Sequence, residues 1–434
     1  MKNPTQYSTP FFAALFNLRF TITLSLLLGF SVFAPVLAQD TTFTEFKGEV
    51  RDAMTKDPVA FASLSLQGTN VASVTNSEGE FSLKVATDKM KAKVEISAIG
   101  YNKLIVTVSN FRPTNTIIEI TPKTVELSDV NINRPKNAKS LVESVFENRR
   151  ENYLNSQSQM TAFYRETIKK RRRNVSLAEA VVNIKKRPYS SNGRDLVDLF
   201  KARKLTDYDK LDTIALKLQG GPFNALYADV IKYPEFFLTP ESIPLYDFSF
   251  DESTRINDQL VYVVNFKQKK NVLEPLYYGK IYINAESLAL TNAEYSLNVE
   301  DRDRASSLFV RKKPNRVKVW PTEANYRVDY REKDGKWFYG YSNIQLEFVV
   351  NWRKRLFNSR YTINSEMLVT DWEREKSPLA ASDMEKFKSN TVLADEASGF
   401  ADPDFWGAYN VIEPEKSIES AIGKIKRQLM RDNN

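Results

Sequence analysis

Between Phe46 and Ile120 apolar residues alternate with polar ones in short runs broken by turn residues. Phe46-Lys47-Gly48-Glu49-Val50 opens the stretch, and Asp52, Thr55, Asp57 and Pro58 then supply turn chemistry. Ala60, Ala62, Leu64 and Leu66 alternate with Ser63, Ser65 and Gln67. Val71 to Thr75 follows, then the hairpin turn Asn76-Ser77-Glu78-Gly79, then Phe81, Leu83 and Val85. Val94 and Ile96, Leu104 to Val108, and Ile117 to Ile120 close the set. A period of two means half-buried strands, and short strands at even spacing predict a β-sandwich over residues 43–123.

The pattern changes after a linker, 124–136. Ala138, Leu141, Val142, Val145 and Phe146 recur at steps of three and four behind Asn137, predicting a capped helix to about Asn152. A strand begins near Ala162-Phe163-Tyr164-Arg165-Glu166, and Ser176 to Lys186 reads as its return. Leu196, Leu199 and Phe200 are spaced as on a helix, and Pro222 to Phe237 reads as an aromatic-rich helical insert, either a lid over a cavity or a cap on a sheet. From 245 onward alternation returns: Leu260 to Phe266, Gly279 to Asn284, Leu288 to Val299, Ala324 to Tyr330, the turn Asp334-Gly335, Ile344 to Val350 and Tyr361 to Val369. Ser377 to Phe400 reads as a loop-like crossing. Pro414 then starts a terminal helix, 415–430, with Ile418, Ile422, Ile425 and Leu429 on one face. Residues 137–434 are therefore expected to be an α+β domain whose long antiparallel meander curls around a helix or a ligand.

The first residues are a targeting segment. Arg19 precedes the apolar run Phe20 to Leu37, which ends in Val36-Leu37-Ala38. This predicts a signal peptide, 1–38, cleaved after Ala38; a membrane anchor is the other reading of the run. The 434-residue chain holds no Cys, so it has neither disulfides nor the thiol of a lipoprotein anchor. It holds no His, which excludes Ser-His-Asp and Cys-His nucleophiles and His-ligated zinc. The net charge of +8 favours anionic surfaces such as lipid head groups, and nucleic acid is not expected for an exported chain.

Two resemblances rest on particular residues. Gly48-x-Val50-x-Asp52, Thr55-x-x-Pro58-Val59, Ala62, Gly68-Thr69, Thr75-Asn76-x-x-Gly79-x-Phe81 and Ser97-x-Ile99-Gly100-Tyr101 resemble the carboxypeptidase regulatory-like domain family, abundant in the Bacteroidota envelope. The resemblance implies a seven-stranded transthyretin-like sandwich and no peptidase. Gly279-Lys280-Ile281-Tyr282-Ile283-Asn284, followed by Leu288-Ala289-Leu290, resembles the lipoprotein-sorting half-barrel superfamily, which holds acyl chains in a curved sheet. The fold class expected is mainly β: the sandwich, then a curved antiparallel half-barrel with several helices. The Phe163-Tyr164-Arg165-Glu166 motif, Asp402-Pro403-Asp404-Phe405-Trp406 and Glu413-Pro414-Glu415 resemble segments of proteins that join the two parts, with no role attached.

Candidate chemistry is sparse. Thr75 to Glu80 carries only Glu78 and Glu80 as acids, fewer than a calcium loop needs, and reads as a turn. Lys169-Lys170-Arg171-Arg172-Arg173 is a solvated hairpin tip or a contact for lipid phosphates. Glu300-Asp301-x-Asp303 and Asp402-x-Asp404 are the carboxylate clusters. The second precedes Phe405-Trp406, which would stack on a sugar. No catalytic, cofactor or metal residue is assigned, and no cofactor is expected. The function expected is a non-enzymatic envelope protein in a binding or adaptor role, exported to the periplasm or the periplasmic face of the outer membrane. Its partners would be a lipid or other amphiphile in the half-barrel, or an outer-membrane glycan-uptake complex. A carboxylate-based glycan hydrolase is the remaining alternative.

Overall fold

The alternating stretch forms seven strands in the computed structural model, which describes residues 42–123, 137–206, 221–310, 315–353, 356–374, 387–388, 391–393, 397 and 405–432. These are β1 (Phe43–Asp52), β2 (Ser63–Leu66), β3 (Ala72–Val74), β4 (Glu80–Ala86), β5 (Lys93–Ser97), β6 (Leu104–Thr107) and β7 (Thr116–Ile120). They make a three-stranded sheet, β4-β1-β7, and a four-stranded sheet, β3-β2-β5-β6. Phe46, Val50, Leu64, Phe81, Leu83 and Ile96 are buried between them. β1 and β7 run parallel, with Gly48 opposite Thr116. A Cβ at Gly48 would lie 2.1 Å from the Thr116 carbonyl oxygen, so this position needs glycine.

The second part is an open, curved, eleven-stranded sheet. Its strands are β8 (Ser158–Lys170), β9 (Arg173–Lys186), β10 (Leu196–Thr206), β11 (Tyr246–Phe250), β12 (Thr254–Ile256), β13 (Gln259–Gln268), β14 (Tyr277–Asn284), β15 (Leu290–Leu297), β16 (Val317–Lys333), β17 (Lys336–Trp352) and β18 (Ser359–Arg374). The order is β10-β9-β8-β18-β17-β16-β15-β14-β13-β11, with β12 beside β13. Every pairing is antiparallel. The helices are α1 (Ala138–Glu147), α2 (Arg149–Asn152), α3 (Pro222–Leu226), α4 (Arg302–Phe309) and α5 (Lys416–Asp432).

Alternation gives the sheet two different faces. On one, Ala162, Tyr164, Ala180, Val182, Ile283, Tyr295 and Met367 pack with α1, α3 and the segment from Val230 to Tyr246. On the other, Phe163, Val181, Tyr341 and Leu368 pack with Val74 and Phe61 of the sandwich and with Trp406, Val411 and Ile412.

Three helical expectations are corrected. Leu196 to Thr206 is strand β10, not helix. A bulge between Leu199 and Lys201 inserts one residue, so Val197 and Leu199 face the core before it and Ala202 after it, while Leu196 and Phe200, spaced with Leu199 as on a helix, do not join them. The helix from Ala138 breaks at Asn148, leaving the single turn α2. The insert is mostly irregular: beyond α3 it holds one short 3-10 turn, Pro234–Phe236. It packs as a cap on the sheet, with Phe223, Leu226, Val230, Ile231 and Phe237 buried. The linker 124–136 and the leader 1–38 lie outside the described residues.

Candidate functional site: a charge row, a strap and a cleft

Strand register aligns one residue per strand across the sandwich-facing side of the large sheet. Arg203 of β10 faces Glu179 of β9, which faces Arg165 of β8, which faces Glu366 of β18. The row continues through Asn343, Arg327, Glu294 and Lys280 on β17 to β14. Signs alternate, so neighbours pair: Arg203–Glu179 at 2.8 Å, Arg165–Glu179 at 2.7 Å, Arg165–Glu366 at 3.2 Å and Arg327–Glu294 at 2.6 Å. Cross-strand opposite charges stabilise a sheet, and burial makes their removal expensive. Burial pushes the Glu366 carboxyl up against the pull of Arg165, while Glu179 and Glu366 outweigh burial to hold Arg165 charged.

A strap formed by the chain around 407–415 crosses this row. Arg165 donates to the Ile412 carbonyl at 2.7 Å and to the Glu413 carbonyl at 3.5 Å. The motifs around Phe163 and Glu413, far apart in sequence, thus meet in space. From the sandwich, Lys47 pairs with Glu413 at 2.8 Å, Asn76 donates to the Glu413 carbonyl at 3.2 Å and Ser77 to Glu415 at 2.6 Å. Asn410 exchanges hydrogen bonds with the Lys84 backbone. Trp406 meets Phe163 edge-on at 5.4 Å, with the Arg203 guanidinium 4.8 Å from its ring centre. The strap therefore joins the sandwich to the sheet.

Beside the strap the two parts leave a cleft of about 270 Å³. Ser65 to Asn70 of the sandwich form one wall. Arg327, Asp329, Lys333, Tyr341 and Trp372 of the sheet form the other. The Arg327 guanidinium lies 4.9 Å from the Phe61 ring centre and is held charged by Asp329 and Glu294 against the opposing effect of burial. Asn70 bridges the walls, donating to the Trp372 carbonyl and accepting from Lys333. Three residues of the cleft carry a buried polar atom with no partner among the described residues: Asn257 Oδ1, Asn292 Oδ1 and Trp372 Nε1. Such atoms are uncommon in folded proteins and call for an explanation.

A second buried cluster sits on the helix-covered face. Lys186 Nζ lies 2.8 Å from Asp195 and 2.5 Å from Asp229. Tyr189 and Tyr330 donate to Asp229, each at 2.8 Å, and Tyr233 donates to Asp195 at 2.8 Å. The cluster ties the insert to β9, β16 and the segment that leads into β10. The sequence carried a signal for it. Lys186 continues the parity of Ala178, Ala180, Val182 and Ile184, and Asp229 stands alone in the apolar run Leu226 to Ile231. No comparable signal marked Arg327, Asn292 or Trp372, because register alone brings them together.

The candidates raised from the sequence fall as follows. In the Thr75 to Glu80 turn, Asn76 Oδ1 accepts from the Glu78 and Glu80 amides, each at 2.9 Å. Its acids face α5: Glu78 accepts the Lys416 amide and Glu80 pairs with the Lys416 ammonium, each at 3.0 Å. Asp301 caps α4, accepting from the Asp303 and Arg304 amides, and Arg304 pairs with it at 3.4 Å. Asp402 and Asp404 lie outside the described residues, as do the side chains of Ile425 and Leu429. Phe405 and Trp406 meet edge to face at 4.7 Å, with Trp406 buried. Lys169 and Lys170 end β8, Arg171 (at φ 56°) and Arg172 turn the chain, and Arg173 opens β9.

Residues 46–132 match the CarboxypepD_reg-like domain family. The match covers the sandwich and falls well short of half the chain. No curated protein matches the chain. Among solved structures it is similar to an outer membrane lipoprotein-sorting protein domain from Vibrio parahaemolyticus, with 10% identity, 57% of this chain and 96% of the other covered, and a TM-score of 0.25. It is similar to a LolA superfamily protein from Nitrosomonas europaea, with 10% identity, coverages of 56% and 96%, and a TM-score of 0.23. A DUF1329 family protein from Desulfovibrio piger gives 11% identity, coverages of 56% and 96%, and a TM-score of 0.24. The first two belong to the group that the C-terminal half was expected to resemble. Overlays this loose leave the role of the chain to its own geometry. Among the described residues no helix is long and apolar enough to cross a membrane.

Proposed function

We propose that this chain is a non-enzymatic cell-envelope protein in a binding or adaptor role, with its ligand taken at the cleft between the two β parts. The observation that carries the reading is the cleft itself. It is an open space of about 270 Å³ beside a row of paired charges, one of which, Arg327, lines it. Sites at the junction of two folding units are the usual place for small-molecule binding. The apolar run ending at Ala38 and the sandwich's family match support export to the periplasm or to the periplasmic face of the outer membrane. In this reading residues 43–123 and 137–434 are two parts held together by the strap.

The lining suits an amphiphile. Phe61, Tyr341 and Trp372 offer apolar faces, and Lys333 offers positive charge to an anionic head, beside an Arg327 already paired with Asp329 and Glu294. The helix-covered face of the sheet is the other place for such a ligand, and the chain's own Phe223, Phe237 and Tyr295 are packed there. The test is native mass spectrometry of the purified protein before and after organic extraction, run beside Ser65→Trp, which fills the cleft. An extractable mass on the wild type that is missing from S65W, with unfolding unchanged, supports the proposal. A wild type that emerges empty but cross-links at the cleft wall to an envelope protein makes it an adaptor. An empty protein without cross-links, or one that cleaves glycans, overturns the reading.

A further inference from the structure

One end of the large sheet gathers cations around two bare apolar side chains. The β8–β9 turn, the β17–β18 turn and the start of β16 lie side by side there. The Arg171 amide donates to the Arg360 carbonyl at 2.8 Å, and the Arg353 amide to the Arg316 carbonyl at 3.1 Å. Arg171, Arg172, Arg173, Arg316, Arg353 and Arg360 are all exposed. Arg360 pairs with Glu347 at 2.7 Å. Among the described residues no carboxylate pairs with the other five. At the β17–β18 turn Leu356 is 96% exposed and Phe357 is 76% exposed. Nearby, α4 packs on the start of β16 through Ser306 and Val319, and its Leu308 is 57% exposed.

A soluble hairpin has no use for a Leu-Phe tip, which costs solubility and contributes no packing. The features that surround it choose the partner. A protein interface needs a broad patch of several hundred Å² per side, and two side chains on a turn do not supply one. Apolar and aromatic residues ringed by Lys or Arg are what enters a lipid interface, because the side chains reach the acyl boundary while the cations stay among the phosphates. We propose that this end of the sheet docks on an anionic lipid bilayer, with Leu356 and Phe357 entering the interface and Arg171, Arg172, Arg173, Arg316 and Arg353 holding head-group phosphates. The inference does not depend on the cleft, whose lining residues are elsewhere in the chain.

The test is co-sedimentation of the purified protein with vesicles of phosphatidylglycerol and phosphatidylcholine, and with phosphatidylcholine alone. The wild type should pellet with the anionic vesicles and not with the neutral ones, and 0.5 M salt should release most of it. Arg171→Ser/Arg172→Ser/Arg173→Ser should lower partitioning on the order of a hundredfold at low salt, from about fivefold per cation. Leu356→Ser/Phe357→Ser should lower it while leaving urea unfolding unchanged, since neither side chain is in the core. Phe357→Trp should blue-shift its emission on adding anionic vesicles. A wild type that stays in the supernatant, equal binding to neutral vesicles, or variants that bind like the wild type would each overturn the proposal. So would a dimer in sedimentation velocity that Leu356→Ser/Phe357→Ser dissolves, which would make the tip a contact between copies.

Discussion

Replacing Lys186 by Met should destabilise the protein far more than the loss of one side chain suggests. The Lys186, Asp195 and Asp229 side chains are 1%, 0% and 0% exposed, and the ammonium sits 2.8 and 2.5 Å from the two carboxylates. Removing one member of a buried ion pair costs about 3–5 kcal/mol, because the partner charge stays buried without compensation. Here one substitution strands two carboxylates. Tyr189, Tyr330 and Tyr233 still donate to them, which keeps the expected loss near 4 kcal/mol. A second variant separates this cause from lost packing. Lys186→Met/Asp229→Asn removes one of the stranded carboxylates at almost constant volume, so it should be more stable than K186M. Urea unfolding of wild type, K186M and the double variant measures both differences. A K186M deficit below about 1 kcal/mol, or a double variant no more stable than K186M, would refute the reasoning.

Other outcomes follow from neighbouring features. Burial raises Glu166 to about 7, with Tyr164 donating to it at 2.9 Å and pulling the other way. That raised value means stability present below about 4.5 is lost as pH climbs to about 7, so Glu166→Gln should flatten this part of the urea-stability profile. Arg165→Met takes the cation from Glu366, leaves Glu179 with Arg203 alone and frees the Ile412 carbonyl, so limited proteolysis should cut the strap much faster than in wild type. Trp406→Ala removes the contact with Phe163 and should cost about 3–5 kcal/mol in urea unfolding. Gly48→Ala drives a Cβ into the Thr116 carbonyl and should lower the unfolding midpoint sharply, whereas Gly68→Ala, with open space around it, should lose only the strain of its left-handed backbone.

How far the residues alone reached depends on the range of the interaction. The sandwich was legible because each strand announces itself by local alternation and each turn by Gly, Asn, Asp or Pro, as at Asn76 to Gly79. Most of the long meander was legible for the same reason. β10 was not, because one bulged residue near Phe200 breaks the two-residue alternation that marks a strand. The insert from Pro222 was legible as apolar and aromatic, but its mostly irregular path is set by the sheet it covers and by the anchor at Asp229.

The candidate site was written mostly at a longer range. Arg165, Glu179, Glu366, Arg327 and Glu294 look like ordinary polar positions of strands, and Lys169 to Arg173 looks like an ordinary turn. Their alignment into one alternating row needs the register of many strands at once, and register is a property of pairing rather than of any strand. The cleft likewise exists only because a sandwich loop lies over β16 and β18, where Asn70 meets Lys333 and Trp372. Local backbone preference and the period of burial determined the elements and the absence of His and Cys chemistry. Packing of distant segments, which no local pattern encodes, decided which charges meet, which stay bare and where the chain leaves a space.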